Sequence, residues 1–295
     1  MVSVEIITAR RAGFCFGVKR AVDIAFKAAR QCKNVFTLGP LIHNPQVIEK
    51  LGTAGVSPTD DIDNKGIGTL IIRTHGIPLE LQRKLSKKKY KIIDATCPFV
   101  KKAQQYAKLL FDEGYQVVLL GDKKHPEVRG LISYAGNSAM VVNSDYHRAK
   151  FKKRVGIVVQ TTQPPSLLKK FTGEIVDKIE ELKVFNTICS STALRLKETK
   201  EIAAKVDMMI VAGGKNSANT TQLANMCTAT SVPTYHIETA SELKEEWFEN
   251  ISKVGLTAGA STPSWIIHEI QERIKDIGGL GDNGYPQFGG RNKGY

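Results

Sequence analysis

The sequence is short of cysteine, aromatic residues and acid. It has five cysteines in 295 residues. The number is odd and no two are spaced as Cys-x₂-Cys, which argues against a disulfide-stapled secreted scaffold and removes the close pairs common in zinc sites. Aromatic residues make up only 7%. The basic runs Lys87–Lys89 and Lys152–Arg154 are not interleaved with them, which argues against stacking on single-stranded nucleic acid. No apolar run is long enough to span a bilayer. The start, MVSVEIITARRAGF, lacks the basic–apolar–small order of a signal peptide and predicts a short strand and loop. The expectation is a cytoplasmic protein with neither nucleic acid nor membrane as partner. Acidic residues number 29 against 42 basic ones, a formal charge of +13. That balance fits a solvated lysine surface, an anionic small substrate or an acidic protein partner.

Three of the cysteines share a local setting: Cys15 in AGFCFGVKRA, Cys97 in DATCPFVKKA and Cys189 in NTICSSTALR. An apolar stretch precedes each and a helix-like run follows. They lie 82 and 92 residues apart, a period of nearly a third of the chain. Length alone suggests about two domains; the repeat argues for three α/β lobes, 1–95, 96–188 and 189–278, before a glycine-rich tail at 279–295. Each lobe reads as strand, cysteine, helix, strand, polar loop, helix, strand, polar loop, helix. The predicted strands are Val4–Thr8, Val35–Leu38, Leu70–Ile72, Lys91–Ile93, Gln116–Leu120, Val155–Val159, Val184–Ile188, Met208–Val211 and Val254–Leu256. One predicted helix runs from Leu167 to Leu182, and a polar loop is expected at Asp60–Lys65. Such alternation implies parallel sheets, with ligands outside the C-terminal ends of the strands. By this order all three cysteines and six polar loops share that edge, so the lobes are expected to form a trefoil around one centre. Cys32 and Cys227 read as packing thiols.

The bare cysteine pattern leaves three readings open. The thiols could be unrelated and buried, could hold zinc, or could hold three irons of an Fe₄S₄ cube with the fourth iron free of cysteine. The matched contexts favour convergence. His43, His75 and His125 each lie between a strand end and a proline-opened helix, and Ser217, Asn219 and Ser261 hold the matching places in the third lobe. Helix N-termini with added hydroxyl, amide and imidazole donors suit a diphosphate. Glu127, in the loop–helix junction after His125, is the candidate general acid. His147, His236 and His268 have no such placement. Alternatives of other classes are a zinc-dependent phosphohydrolase and a non-catalytic anion-binding protein.

Taken together, GFCFGVKRA, HNPQV, THGIP, DATCPFV, HPEV, QTT, KNSAN and TAGAST, in this order across residues 4–277, resemble the LytB family of 4-hydroxy-3-methylbut-2-enyl diphosphate reductases. The resemblance implies a three-lobed α/β fold around a [4Fe–4S] cluster held by Cys15, Cys97 and Cys189, with one iron not ligated by cysteine. It implies reductive dehydroxylation of an allylic alcohol diphosphate to isopentenyl and dimethylallyl diphosphate, the last step of the methylerythritol phosphate route. An electron donor such as ferredoxin or flavodoxin is implied as partner. Carried over by residue, Glu127 resembles the proton donor and Thr161 the group that orients the hydroxyl, with Thr162 the second choice. His43, His75, His125, Ser217, Ala218, Asn219 and Ser261 fall at the diphosphate site. The family pattern there is Ser-Ser-Asn, and this chain has Ala218 in the middle. One side-chain hydroxyl is therefore missing, and weaker or rearranged phosphate contact is expected.

Overall fold

A computed structural model describes residues 4–61, 68–143 and 149–278. The expected loop Asp60–Lys65 lies partly outside these residues, and His147 and the tail 279–295 lie wholly outside. In chain order the strands are β1 (Glu5–Thr8), β2 (Val35–Leu38), β3 (Val56–Thr59), β4 (Thr69–Ile72), β5 (Lys91–Asp94), β6 (Gln116–Leu120), β7 (Met140–Val142), β8 (Arg154–Val159), β9 (Glu181–Phe185), β10 (Met208–Ala212), β11 (Thr234–Ile237) and β12 (Lys253–Ala258). The α-helices are α1 (Phe16–Gln31), α2 (Pro45–Thr53), α3 (Leu79–Leu85), α4 (Pro98–Asp112), α5 (Pro126–Tyr134), α6 (Pro165–Ile175), α7 (Ser190–Ala203), α8 (Ala218–Thr228) and α9 (Ser264–Ile277).

The strands form three four-stranded sheets, ordered β3-β2-β4-β5, β7-β6-β8-β9 and β1-β12-β10-β11, and the paired strands run parallel throughout. Parallel sheets need cover on both faces. Around the second sheet, Val117 and Leu119 pack with Ala103, Ala107 and Leu131 of α4 and α5, while Val118, Leu120 and Ile157 pack with Phe171 and Ile175 of α6. Side-chain alternation along one strand thus feeds two separate cores. The α/β class and the three-lobed arrangement agree with the expectation.

The strand before each cysteine does not belong with the helix after it, contrary to the expected order. β1 pairs with β12 of the third sheet, yet α1 packs on the first through Ala21, Val22 and Ala25 against Val35, Val56 and Ile71. Likewise β5 closes the first sheet and α4 covers the second. β9 closes the second, and α7 covers the third through Ile202 and Ala203. Each cysteine therefore sits where the chain crosses from one lobe to the next, which brings all three to the centre. β1 does not open the first lobe; it is an edge of the third, tied also to α9 by Gln271 Nε2 donating to Thr8 Oγ1 at 2.9 Å.

Three strands were not anticipated: β3, β7 and β11. Each is a sheet edge. Edge strands pair on one side only, so they tolerate weak patterning and proline; β3 contains Pro58 and β11 follows Pro233. The helix expected over 167–182 stops at Ile175, followed by a 3₁₀ turn, Val176–Lys178. Ile179 and Leu182 keep an apolar rhythm. However, the N–H groups of Glu180 and Glu181 donate to Lys153 O at 2.8 and 2.9 Å, and the segment joins β8 as a strand. Tertiary pairing overrides helix periodicity here. Cys227 lies within α8 and is fully buried.

Candidate functional site

The three crossings are built alike. Cys15, Cys97 and Cys189 are the N-caps of α1, α4 and α7. Each cysteine backbone N–H donates to a loop carbonyl at the neighbouring strand end: Cys15 to Ala260 at 3.2 Å, Cys97 to Thr74 at 3.0 Å and Cys189 to Thr161 at 2.8 Å. All five cysteines are free thiols. Gly17 in the first turn of α1 lets the helix approach Cys97 closely, for a Cβ there would lie 2.6 Å from Cys97 Sγ. Burial pushes the Cys97 thiol up, with Cys15 and Cys189 adding to the effect, while backbone N–H groups of Phe99 and Val100 pull the other way. At Cys97 the N–H groups of the helix N-terminus do not outweigh burial.

The three cysteines, the six strand-end loops and the expected site residues line one cleft, partly open to solvent. Among the described residues, His43, His75 and His125 have ligand atoms all within 4.8 Å of one another. Three soft sulfur ligands facing one cleft suit an iron–sulfur cluster.

Opposite lies the histidine cluster, with ring centroids 4.9, 5.1 and 6.1 Å apart. All three imidazoles are held below their ordinary range, burial being the first cause. His125 is pushed down to about 4. Its Nδ1 accepts the Glu127 backbone N–H at 3.2 Å, so its proton is on Nε2. These histidines are neutral donors rather than cations in the free protein. The fixed positive charge near them is Arg73, a residue the sequence reading passed over; it lowers all three. The signal was present, since Arg73 stands two residues before His75 at the end of β4. His75 Nδ1 and Asn219 Oδ1 are buried without partners. With the Asn219 amide turned over, both positions can present N–H donors to an anion. Ser217 caps α8, its hydroxyl accepting from Thr220 N at 3.5 Å, and Ser261 Oγ donates to His43 O at 3.2 Å. Ala218 is the first residue of α8 and lines the cleft.

Glu127 is 1% exposed. Oε1 accepts the Thr161 N–H at 2.7 Å, and Oε2 accepts the Thr161 hydroxyl at 2.8 Å. Burial raises its carboxyl to about 7 against the pull of those two bonds. Thr161 rather than Thr162 engages the carboxylate; Thr162 Oγ1 accepts from Gln160 Nε2 at 3.1 Å. His236, given no role from sequence, bonds through Nε2 to Gly213 O at 2.8 Å, and His268 lies exposed on α9.

The chain matches the family model described as LytB protein over residues 6–275. It is 50% identical over 275 residues to 4-hydroxy-3-methylbut-2-enyl diphosphate reductases of Pelobacter propionicus and of Geobacter sulfurreducens, covering 92% of this chain and 98% of each relative. It resembles a solved structure of that reductase, described as the terminal enzyme of the non-mevalonate pathway, with 46% identity and a TM-score of 0.70 over 94% of this chain and 100% of that one. It also resembles the corresponding Plasmodium falciparum reductase structure, with 28% identity and a TM-score of 0.84 over 92% and 86%.

Proposed function

The chain belongs to the LytB protein family, and on that premise we propose that its cleft reduces 4-hydroxy-3-methylbut-2-enyl diphosphate, the reaction for which its relatives are named. It is an oxidoreductase of the non-mevalonate route to isoprenoids, in an iron–sulfur family. The products assigned are isopentenyl and dimethylallyl diphosphate. Two electrons and two protons replace the allylic C–O bond by C–H and release water.

Cys15, Cys97 and Cys189 are the residues to hold the centre. A [4Fe–4S] cluster there would supply electrons one at a time, and Lewis acidity at the iron that no cysteine holds. His43, His75, His125, Ser217, Asn219 and Ser261 bind the diphosphate, with Arg73 behind the histidines as fixed counter-charge. The Ala218 backbone N–H at the start of α8 serves where a hydroxyl is missing. The protonated Glu127 donates from Oε2 to Thr161 Oγ1, and the Thr161 hydroxyl proton then turns to the departing substrate oxygen. Thr161 thus both orients that oxygen and relays the proton. Thr162 borders the same space.

The observation that carries this reading is the buried Glu127 carboxyl, tuned to about 7 and bonded to Thr161, in one cleft with the three cysteines and the unpartnered histidine. A general acid works best with a pKa near the working pH. The lack of a close Cys-x₂-Cys pair and the reductase names of the relatives weigh against a zinc hydrolase, and three converging cysteines have no use in a simple anion-binding protein. We assign a small acidic electron donor such as ferredoxin or flavodoxin, matched to the charge of +13. No helix among the described residues is long and apolar enough to cross a membrane, and cytoplasm is the location proposed. The lobes are taken as 1–95, 96–188 and 189–278, with β1 lent to the third sheet.

The test is to purify the protein without oxygen and measure iron, sulfide and Mössbauer spectra with and without the allylic diphosphate. About four irons are expected, one of them distinct and shifted by substrate. Zinc, or no metal after attempted reconstitution, would overturn the reading.

A further inference from the structure

Helix α7, which follows Cys189, turns an unusual face inward. Its buried residues include Thr192, Arg195 and Thr199, at helical spacing on one side. Arg195 is 2% exposed. Its Nη1 donates to Ala258 O at 2.7 Å and its Nη2 to Gly13 O at 2.9 Å. Gly13 lies two residues before Cys15, and Ala258 ends β12, two residues before the carbonyl that anchors the Cys15 N–H. The Nε–H of Arg195 is buried and has no acceptor among the described residues. One turn on, Glu198 accepts the N–H groups of Arg10 and Arg11 at 2.9 and 3.0 Å. A guanidinium that stays charged is thus enclosed between the Cys189 helix and the Cys15 loop.

We infer that Arg195 is a positioning residue for the iron–sulfur centre: it locks the Cys15 loop to the Cys189 helix and holds a permanent positive charge between them. This rests on the proposed cysteine centre. Three thiolates make such a centre more negative with each electron it accepts, and reduction potential follows nearby charge and hydrogen bonding. A buried cation therefore favours the reduced state. A clamp without charge would hold the loops and leave the potential alone.

The decisive measurement is a dithionite redox titration of the anaerobically loaded holoenzyme, followed by EPR, for wild type, Arg195→Gln, Arg195→Lys and Glu198→Gln. At fixed solution potential, Arg195→Gln is expected to lower the reduced-to-oxidised ratio at least tenfold, which for one electron is about 59 mV. Arg195→Lys keeps the charge and is expected to restore most of that ratio. Glu198→Gln removes a nearby negative charge and is expected to shift it the opposite way. Equal shifts in the Gln and Lys variants, or none in either, would overturn the inference. If Arg195→Gln does not fold, Glu198→Gln decides: an unmoved or lowered ratio overturns it. Wild-type protein that takes up no iron and sulfide would overturn the cluster reading along with this one, whereas normal loading with unmoved variants would sink this inference alone.

Discussion

Replacing Glu127 by glutamine separates chemistry from architecture. The amide has the carboxylate's shape: its oxygen can accept the Thr161 N–H, and its NH₂ can donate to Thr161 Oγ1, so both contacts, 2.7 and 2.8 Å in the parent, survive. What is lost is the transferable proton. A general acid contributes at least 100-fold to rate, or about 2.7 kcal/mol in the barrier. Turnover is expected to fall by that much with KM unchanged, measured without oxygen under excess reductant. The wild-type rate should decline as pH rises past about 7, where the carboxyl gives up its proton, and the variant should lack that limb. Stability supplies an independent check. The folded pKa is raised from 4.5 to about 7, so between those values the unfolded chain releases a proton that the folded one keeps. Stability therefore falls as pH rises through this window and levels off above it. At roughly 1.4 kcal/mol per unit, the cost above the window is about 3 kcal/mol. The glutamine variant should be more stable than wild type by up to that amount near pH 8 and no different near pH 4. Near-normal turnover would refute the proton-donor role. Equal stability at both pH values would refute burial as the source of the raised pKa.

Cys97→Ser should lose cluster stability, because thiolate is the ligand; full iron occupancy in that variant would contradict the centre. Gly17→Ala puts a methyl 2.6 Å from Cys97 Sγ and should lower iron content while the lobes still fold; wild-type iron per chain would show that α1 yields there without cost. Ala218→Ser restores a hydroxyl at the first position of α8 and should lower KM several-fold, about 1 kcal/mol for one added hydrogen bond. An unchanged KM would show that the backbone already satisfies the phosphate.

Much of the site was legible because its marks are local. A cysteine between an apolar stretch and a helix-like run is an N-cap wherever the lobes lie. Asn44 before Pro45 announces a capped helix, and its Oδ1 does accept the Val47 N–H at 3.0 Å. The strand-end loops carrying His43, His75, His125, Thr161, Ser217 and Ser261 follow from strand–helix alternation, and all six line the cleft. Arg195 left only a faint mark, a polar stripe with Thr192 and Thr199 on α7. Arg73 left none beyond its place two residues before His75.

By itself, then, the sequence determined most of the helices and central strands, their alternation and which residue types stand at the strand ends, since caps, prolines and apolar periods act over a few residues. Tertiary structure alone decided which sheet each strand joins. β1 lies about 250 residues from β12 in the chain, yet pairs with it from Glu5↔Lys253 to Thr8↔Leu256, and no local pattern encodes a partner at that range. The edge strands β3, β7 and β11 likewise exist through a neighbour on one side. Glu127's raised pKa, the neutral histidines and the enclosed charge of Arg195 arise from desolvation by segments far apart in the chain. Burial is a sum over such contacts, and it appears only when the three lobes close on their shared centre.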